Sequence, residues 1–403
     1  MSKSIHFFGQ SVFGQLISLI DRSISQKASE KTQSDRNCKG FSSWDHLLSM
    51  VFCGVGNCHS LREVCAAFLG LKGKTEHLGM NKIPRRSTLS DANKKRNPMF
   101  FETVYYELLK RYQDNITDSR LKSRLGKSLM IFDSTTISLF QSILRCVGRK
   151  PQSGKAKGGI KVHTLINADE KVPQLIWFSD AATHDSRFYE KIEFLKTCLY
   201  VFDKGYLDFW RFDTFTKNSI HFCTRLRDNT TYEVIEVLEI NYQQNQGVLK
   251  DEWIKVPLRK NGQVMGSTRL RRVEYWDAEQ NRLIVCLTNI TEMQPLEITE
   301  LYRKRWQIES LFKQLKQNFP LKYFLGDNEN AITIQIWCTL IVNLLLTMIK
   351  QKIKRPWSFS NLVSFTRLHL FNHIHLMKFL ENPDRDWITN TATPPPSLTL
   401  NFT

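Results

Sequence analysis

Four side chains set the chemistry this chain can do. They are Tyr302, Arg305, Glu309 and Lys316, within the stretch Leu301 to Phe319. At about 100° of turn per residue, a helix brings all four within roughly 60° of one another. That face carries one carboxylate, two strong cations and a phenol, while Ile308, Leu311, Phe312, Leu315 and Phe319 gather opposite. The stretch has no Gly and no internal Pro, with Pro295 near its start and Pro320 at its end, so it reads as one amphipathic helix. A solvated polar face is the plain reading. A catalytic carboxylate flanked by phosphate-gripping cations is the sharper one, and it needs partners elsewhere.

Two aspartates supply them. Leu129-Met130-Ile131-Phe132 is a short apolar run ending on Asp133, and Leu199-Tyr200-Val201-Phe202 ends on Asp203. Each carboxylate is thus expected at the C-terminal edge of a central strand, where α/β sheets hold their chemistry. Ordinary strand-end turns use aspartate too. With Glu309 they make three carboxylates from three elements. Three such groups brought together repel, and a hard divalent cation, Mg²⁺ or Mn²⁺, offsets the repulsion. A pair of such ions can activate a water or a 3′-hydroxyl at a phosphodiester.

The totals agree with a polyanionic partner. Lys plus Arg is 57 against 39 Asp plus Glu, a net charge of +18 over 403 residues. Counterion release from DNA rewards such a surplus. An anionic membrane would also attract it. However, the long apolar segment Ile332 to Ile349 is interrupted by Gln335, Thr339, Asn343 and Thr347, which favours a buried core helix over a span. Near the N-terminus, Phe7, Phe8, Val12, Phe13, Leu16, Ile17 and Ile20 are broken by Gln10, Ser11 and Gln15. An amphipathic helix is expected there rather than a signal peptide. The nine cysteines fit no zinc spacing, so reduced thiols and a cytoplasmic setting are expected.

Around these residues the chain divides by pattern. Residues 1–125 read as a helical DNA-binding domain. A polar linker runs from Ser25 to Lys39, Ser43 and Ser60 stand as helix caps, and a third segment from Pro84 ends in the basic cluster Lys94-Lys95-Arg96. Short helices followed by a basic cluster suggest helix-turn-helix character, with a charged helical bundle equally open. Residues 126–230 read as three strands, a helix over 186–197, a strand, a helix and a strand. A Lys/Gly-rich loop covers Gly154 to Gly159. Lys161 and His163 alternate on one strand face, candidates to point into the site. For His163, phosphate or metal contact and core packing are both open. Residues 231–292 read as a β-rich insertion with an Asn261-Gly262 hairpin turn. Residues 293–350 return to the core, and 351–403 form a helical tail with Pro394-Pro395-Pro396 in a loose end. Asp185 is the rival carboxylate, without a strand-end setting.

Taken together, these blocks resemble a family. Tyr302, Arg305, Glu309 and Lys316 reproduce the Y-x2-R-x3-E-x6-K spacing of the insertion-sequence-four group of DDE transposases. Asp133-Ser134-Thr135-Thr136 resembles its first-aspartate block. Asp203-Lys204-Gly205-Tyr206, with Phe222-Cys223-Thr224-Arg225-Leu226, resembles its second, and Leu287-Thr288-Asn289 also fits. Ser87 to Asn93 is similar to the helical domain of one bacterial branch. Lys204 departs from the Arg often found there.

The resemblance implies an α/β fold: an RNase H-like mixed-sheet core interrupted by the β insertion, behind a helical N-terminal domain. It implies cut-and-paste transposition of double-stranded DNA between terminal inverted repeats and a target. Asp133, Asp203 and Glu309 would hold two Mg²⁺ or Mn²⁺ ions. Water attacks first, and the freed 3′-hydroxyl then forms a hairpin that is reopened before strand transfer. Tyr302, Arg305 and Lys316 would grip phosphates, with Arg225 among the DNA-contacting residues. Trp306 would stack on a base or simply pack. A homodimer or larger assembly is implied by the joining of two ends. A nuclease on the same core that does not join strands, or a domesticated DNA-binding protein, are the alternatives; the intact carboxylates and helix signature argue against the latter.

Overall fold

The computed structural model describes residues 9–70, 76–80, 82–116, 126–138, 159–321 and 323–383. The Lys/Gly-rich loop (apart from Gly159) and the proline run lie outside the described residues.

Six helices come first: α1 (Val12–Ile17), α2 (Arg22–Thr32), α3 (Ser43–Gly56), α4 (Leu61–Gly70), α5 (Arg86–Lys95) and α6 (Met99–Ile116). The expected polar linker is largely α2. Asp21 caps it through the Ser23 amide, and Ile24, Ser25 and Ala28 face inward. Its polar composition hid a narrow apolar stripe at helical spacing. The cap of α3 is Ser42 rather than Ser43, in a reciprocal box with Asp45. In α5, Arg86, Lys94 and Lys95 are exposed. Arg96 turns inward and donates to the carbonyls of Phe41 and Ser42.

The sheet then builds from β1 (Ser128–Ser138), β2 (Gly159–Asn167), β3 (Pro173–Asp180), β4 (Cys198–Phe202) and β5 (His221–Arg225). Only a 3-10 segment, Asp185–Lys191, stands where a helix over 186–197 was expected. β1 pairs antiparallel with β2 and parallel with β4, and β4 pairs parallel with β5. Helix α7 (Phe209–Lys217) joins β4 to β5. The insertion adds β6 (Glu233–Val237), β7 (Val248–Lys260), β8 (Gln263–Asp277) and β9 (Arg282–Thr288). It does not stand apart, because β9 pairs with β5 and one nine-stranded sheet results, ordered β3-β2-β1-β4-β5-β9-β8-β7-β6.

Strands β1 and β4 are buried on both faces, which is why they read as unbroken apolar runs. Alternation sends Leu129, Ile131, Leu199 and Val201 into one core. Phe132, Tyr200 and Phe202 enter the other, with Phe188, Tyr189, Phe212, Phe215 and Phe222.

Helices α8 (Pro295–Arg303) and α9 (Trp306–Asn318) follow β9, and their buried residues, from Ile298 to Leu315, belong to the first core. The single expected helix is therefore two. Around Lys304 and Arg305 the amides bond three residues back, Arg305 N to Tyr302 O at 3.0 Å and Gln307 N to Lys304 O at 3.0 Å. The chain tightens for a turn without a Gly or Pro. Then come α10 (Glu329–Lys352), α11 (Phe359–Leu368) and α12 (Leu376–Glu381). Helix α10 is long and apolar enough to cross a membrane, but it is a core helix. Its Trp337 meets Tyr105 and Tyr106 of α6 and Phe178 of β3, so the N-terminal helices and the sheet share it.

Candidate active site

Register brings the two aspartates together. Phe132 of β1 lies directly beside Phe202 of β4. The next residues, Asp133 and Asp203, stand side by side where this parallel pairing ends; Asp203 leaves β4, but β1 runs on to Ser138 against β2, so Asp133 lies within its strand and not at the strand end expected. Both continue the parity of Ile131 and Val201, so both sit on the sheet face that α8 and α9 cover. Asp203 caps a short 3-10 turn, accepting from the Gly205 amide at 3.4 Å.

From the covering helices come the partners. Arg305 Nη1 donates to Asp133 Oδ2 at 3.0 Å and lies 2.7 Å from Glu309 Oε1. Its Nε donates to the Tyr302 hydroxyl at 3.1 Å, and that hydroxyl donates to Asp203 Oδ1 at 3.4 Å. One cation and one phenol thus link three carboxylates. Lys316, further along α9, donates to Thr135 Oγ1 at 2.7 Å and to the Thr136 carbonyl at 3.3 Å. Arg225 ends β5, half-buried, with a buried Nε that has no hydrogen-bond partner. Trp306 is 41% exposed. Arg282 and Arg305 lie against its ring, 5.7 and 6.0 Å from the centroid.

The electrostatics follow from crowding in a dry setting. Burial pushes the Asp133 carboxyl up to about 7, with Asp203 and Glu309 adding to the rise and Arg305 and the Ser134 amide opposing it. Burial alone would weaken the Arg305 charge, but Tyr302, Asp133 and Glu309 outweigh it and hold the guanidinium above its ordinary value. Burial raises the Tyr302 phenol and lowers the Lys316 ammonium.

Lys161 and His163 stand elsewhere. They pair with Thr136 and Ser134 across β1–β2, which puts them on the sheet face away from Asp133. His163 is fully buried against Trp177 and Phe188, bonds Ser179 at 2.9 Å, and is pushed down to about 4 by burial. It is a neutral core histidine. Lys161 donates to the Thr183 carbonyl at 2.7 Å and to Asp185 Oδ1 at 3.2 Å.

Asp185 is the residue whose setting the sequence hid. Its Oδ1 also accepts from Ser134 Oγ at 2.8 Å. A methyl group on Gly205 would lie 3.1 Å from Asp185 Oδ2 and 3.9 Å from Asp203 Oδ2. A fourth carboxylate therefore flanks the strand edge from the opposite face. Its only signal in the sequence is the polar Thr183-His184-Asp185 stretch after β3.

As the side chains stand, no three His, Cys, Asp or Glu among the described residues enclose a metal ion. Arg305 fills the space between Asp133 and Glu309. The donor set still suits a hard divalent ion, since Asp133, Asp203 and Glu309 offer only carboxylate oxygens. The eight described cysteines are free thiols.

Comparison with known proteins shows the family. Residues 124–345 match the model of the transposase DDE domain, and residues 8–81 match a domain of unknown function (DUF4372). A putative transposase, y4zB, of Sinorhizobium fredii is 29% identical over 65% of this chain and 71% of its own length. A putative transposase for insertion sequence element IS4SA from Synechocystis is 28% identical over 70% of this chain and 74% of its own. A probable transposase for element IS5377 of Geobacillus stearothermophilus is 24% identical over 66% and 69%. A solved piggyBac transposase synaptic complex with hairpin DNA aligns over 96% of this chain and 84% of that one, at 12% identity and a TM-score of 0.37, too loose a likeness to argue from. With more than half of its length matched by the domain model, this chain belongs to the DDE transposases, of the type found in bacterial insertion sequences.

Proposed function

We propose that the chain cuts DNA at the ends of an insertion sequence and joins the freed ends to a target, with Asp133, Asp203 and Glu309 as its catalytic carboxylates. The observation that carries this reading is their linkage. Two aspartates stand side by side where the pairing of the parallel strands β1 and β4 ends, and both are tied to the Glu309 helix through Arg305 and Tyr302. The antiparallel β3-β2-β1 followed by the parallel β4 and β5 supports an RNase H-like core. The Tyr302, Arg305, Glu309 and Lys316 spacing supports the insertion-sequence-four group.

The three carboxylates would hold two Mg²⁺ or Mn²⁺ ions, whose chemistry when bound is Lewis-acid activation of the attacking oxygen and stabilisation of the leaving one. The chain's own residues do the rest. Arg305 is a planar fork already poised between carboxylates, and on meeting DNA it exchanges them for a phosphate. Lys316 offers a point charge at the rim of β1. Tyr302 links Arg305 to Asp203 through its hydroxyl. Arg225 brings an unpartnered Nε to the same face, and Trp306 an exposed ring for a base. On the far face, Lys161 and His163 act through the strand edge, not on phosphate directly.

On this reading water cleaves first, the freed 3′-hydroxyl forms a hairpin on the opposite strand, and reopening precedes joining. The helices over residues 1–125 bind the terminal repeats, 126–230 and 293–350 carry the catalytic core around the 231–292 insertion, and 351–403 close it. Two copies pair the two ends, in the bacterial cytoplasm.

Glu309→Gln tests the assignment. It should abolish Mg²⁺-dependent cleavage of an element end while binding of that end stays within about twofold. Cleavage retained in this variant removes Glu309 from the reaction. A precleaved end supplied with target DNA tests joining: cleavage without joined product reduces the protein to a nuclease.

A further inference from the structure

Cys53 and Cys58 meet at the C-terminal end of α3. The helix stops because Asn57 turns left-handed, at φ 54°, and its amide bonds the Cys53 carbonyl. The Cys58 amide bonds that same carbonyl at 3.1 Å. This closure sets a residue of the last helical turn against one just past the end, where an apolar contact is usual. Here both residues are cysteines. The Cys53 thiol donates to the Cys58 carbonyl at 3.6 Å, and the two thiols are in hydrogen-bond contact with each other. Cys53 is fully buried, while Cys58 keeps 8% of its surface in solvent. Two charged groups face Cys58, Glu63 of α4 and Arg367 of α11. Arg367 is fixed in place. Its Nε donates to the Val55 carbonyl at 3.1 Å and its Nη2 to the Asn318 carbonyl at 2.8 Å, which ties the end of α3 to the end of α9.

The two thiols are made unlike. The bond to Cys58, with burial, pushes the Cys53 thiol well above its ordinary value. The bond from Cys53 holds Cys58 below its own, with Arg367 helping and burial and Glu63 opposing. A thiolate that reaches solvent beside a second thiol has what peroxide oxidation needs, a nucleophile and a resolving partner. We propose that Cys58 and Cys53 form a reversible redox site, whose reactant is hydrogen peroxide and whose product is the Cys53–Cys58 disulfide. The Cys58 sulfur attacks one peroxide oxygen and the O–O bond breaks. Cys58 becomes a sulfenic acid, and the released hydroxide leaves as water with the proton Cys58 gave up. The Cys53 sulfur then attacks the Cys58 sulfur. The S–S bond forms, the S–O bond breaks, and a second water leaves with the Cys53 proton. Two thiols are oxidised and one peroxide is reduced. The bond closes in the turn that Arg367 ties to the Glu309 helix, and the assignment does not depend on the transposase reading.

Trypsin leaves both cysteines in one peptide, Gly40 to Arg62, so mass spectrometry reads the bond directly. The reduced full chain is treated with hydrogen peroxide, then unfolded, alkylated with iodoacetamide and digested. The peptide should carry no alkyl group and lack two hydrogens, and dithiothreitol should restore both alkylation sites. The pair should react roughly tenfold faster than Cys65, a half-buried thiol that burial raises. Cys58→Ser should leave Cys53 fully alkylated at the same dose. Cys53→Ser should stop at the sulfenic acid on Cys58, which dimedone traps. If Cys53→Ser does not fold, Cys58→Ser and the wild-type peptide decide. Unfolding the chain in urea before adding peroxide should slow the pair to the rate of Cys65. Equal rates in the folded and unfolded chain would overturn the assignment, as would both cysteines still alkylated once Cys65 is oxidised, or a Cys58 sulfinic acid in place of the disulfide.

Discussion

Arg305 and Asp133 lie 172 residues apart in the chain and 3.0 Å apart in space. The same guanidinium nitrogen stands 2.7 Å from Glu309. Before any substrate arrives, the charge that the carboxylates need is supplied by the protein itself.

Arg305→Met should therefore do two separable things. It leaves Asp133 and Glu309 without a cation, so the variant should melt lower in metal-free buffer. Added Mg²⁺ should then raise its melting temperature more than it raises that of the wild type, since the ion replaces the lost charge. Differential scanning calorimetry with and without Mg²⁺ measures both, and an equal Mg²⁺ response in the two proteins counts against a shared site. Arg305→Lys should not restore cleavage, because one ammonium cannot bridge as the fork does.

Asp185 ties Ser134 to Lys161. Asp185→Asn should lower the single-turnover cleavage rate about tenfold or more through displacement of β1 at Ser134, next to Asp133, with end binding little changed. Gly205→Ala crowds the same carboxylate, 3.1 Å from the added methyl, and should act in the same direction. Normal rates in both variants would show that this contact holds nothing the reaction uses.

His46 gives a pH dependence with a definite sign. It is fully buried in α3, shares a 2.7 Å bond with Asn93, and is pushed down to about 3 by burial, with Arg96 adding and Asn93 opposing. Because the folded value lies below the ordinary 6.5, the unfolded chain binds the extra proton between the two. Its contribution is complete above 6.5 and is lost as pH falls toward 3. Within that window it changes stability by about 1.4 kcal/mol per pH unit. Urea unfolding of His46→Gln should show a shallower loss than wild type as pH drops below 6.5; parallel curves would refute it.

Arg271 fastens the insertion to the segment that leads into α8. It donates to both oxygens of Asp251, at 2.8 and 2.7 Å, and to the Met293 carbonyl at 2.8 Å. Both ion-pair partners are buried. Arg271→Met strands the Asp251 charge and should cost about 3–5 kcal/mol, whereas replacing both partners by apolar residues should cost much less. Chemical denaturation of the single and double variants separates these outcomes.

Much of the site was legible because its signals are local. Apolar runs ending on Asp133 and Asp203 need no tertiary knowledge, and neither does the spacing from Tyr302 to Lys316. What escaped depends on register and on long-range pairing. The sequence shows that Lys161 and His163 alternate, but not which face of β2 they share, and only the pairing of Ser134 with His163 decides that. The Asp185 contacts reach across 51 residues to Ser134 and 24 to Lys161. The tightened turn at Lys304 has no Gly or Pro to announce it. Helix α2 was masked by polar composition, and the insertion's continuity with the sheet depends on β9 meeting β5.

Helix α10 carries a mechanical consequence. It packs against α3, α5, α6, α9 and α11, and Asn328 and Asn330 at its start hold the Lys94 carbonyl of α5. If α5 grips the terminal repeat, the span from gripped bases to cut phosphate is set by one rigid strut. The protein then measures its cutting position as a caliper does, and the repeat's distance from the element's edge is a length written into the fold.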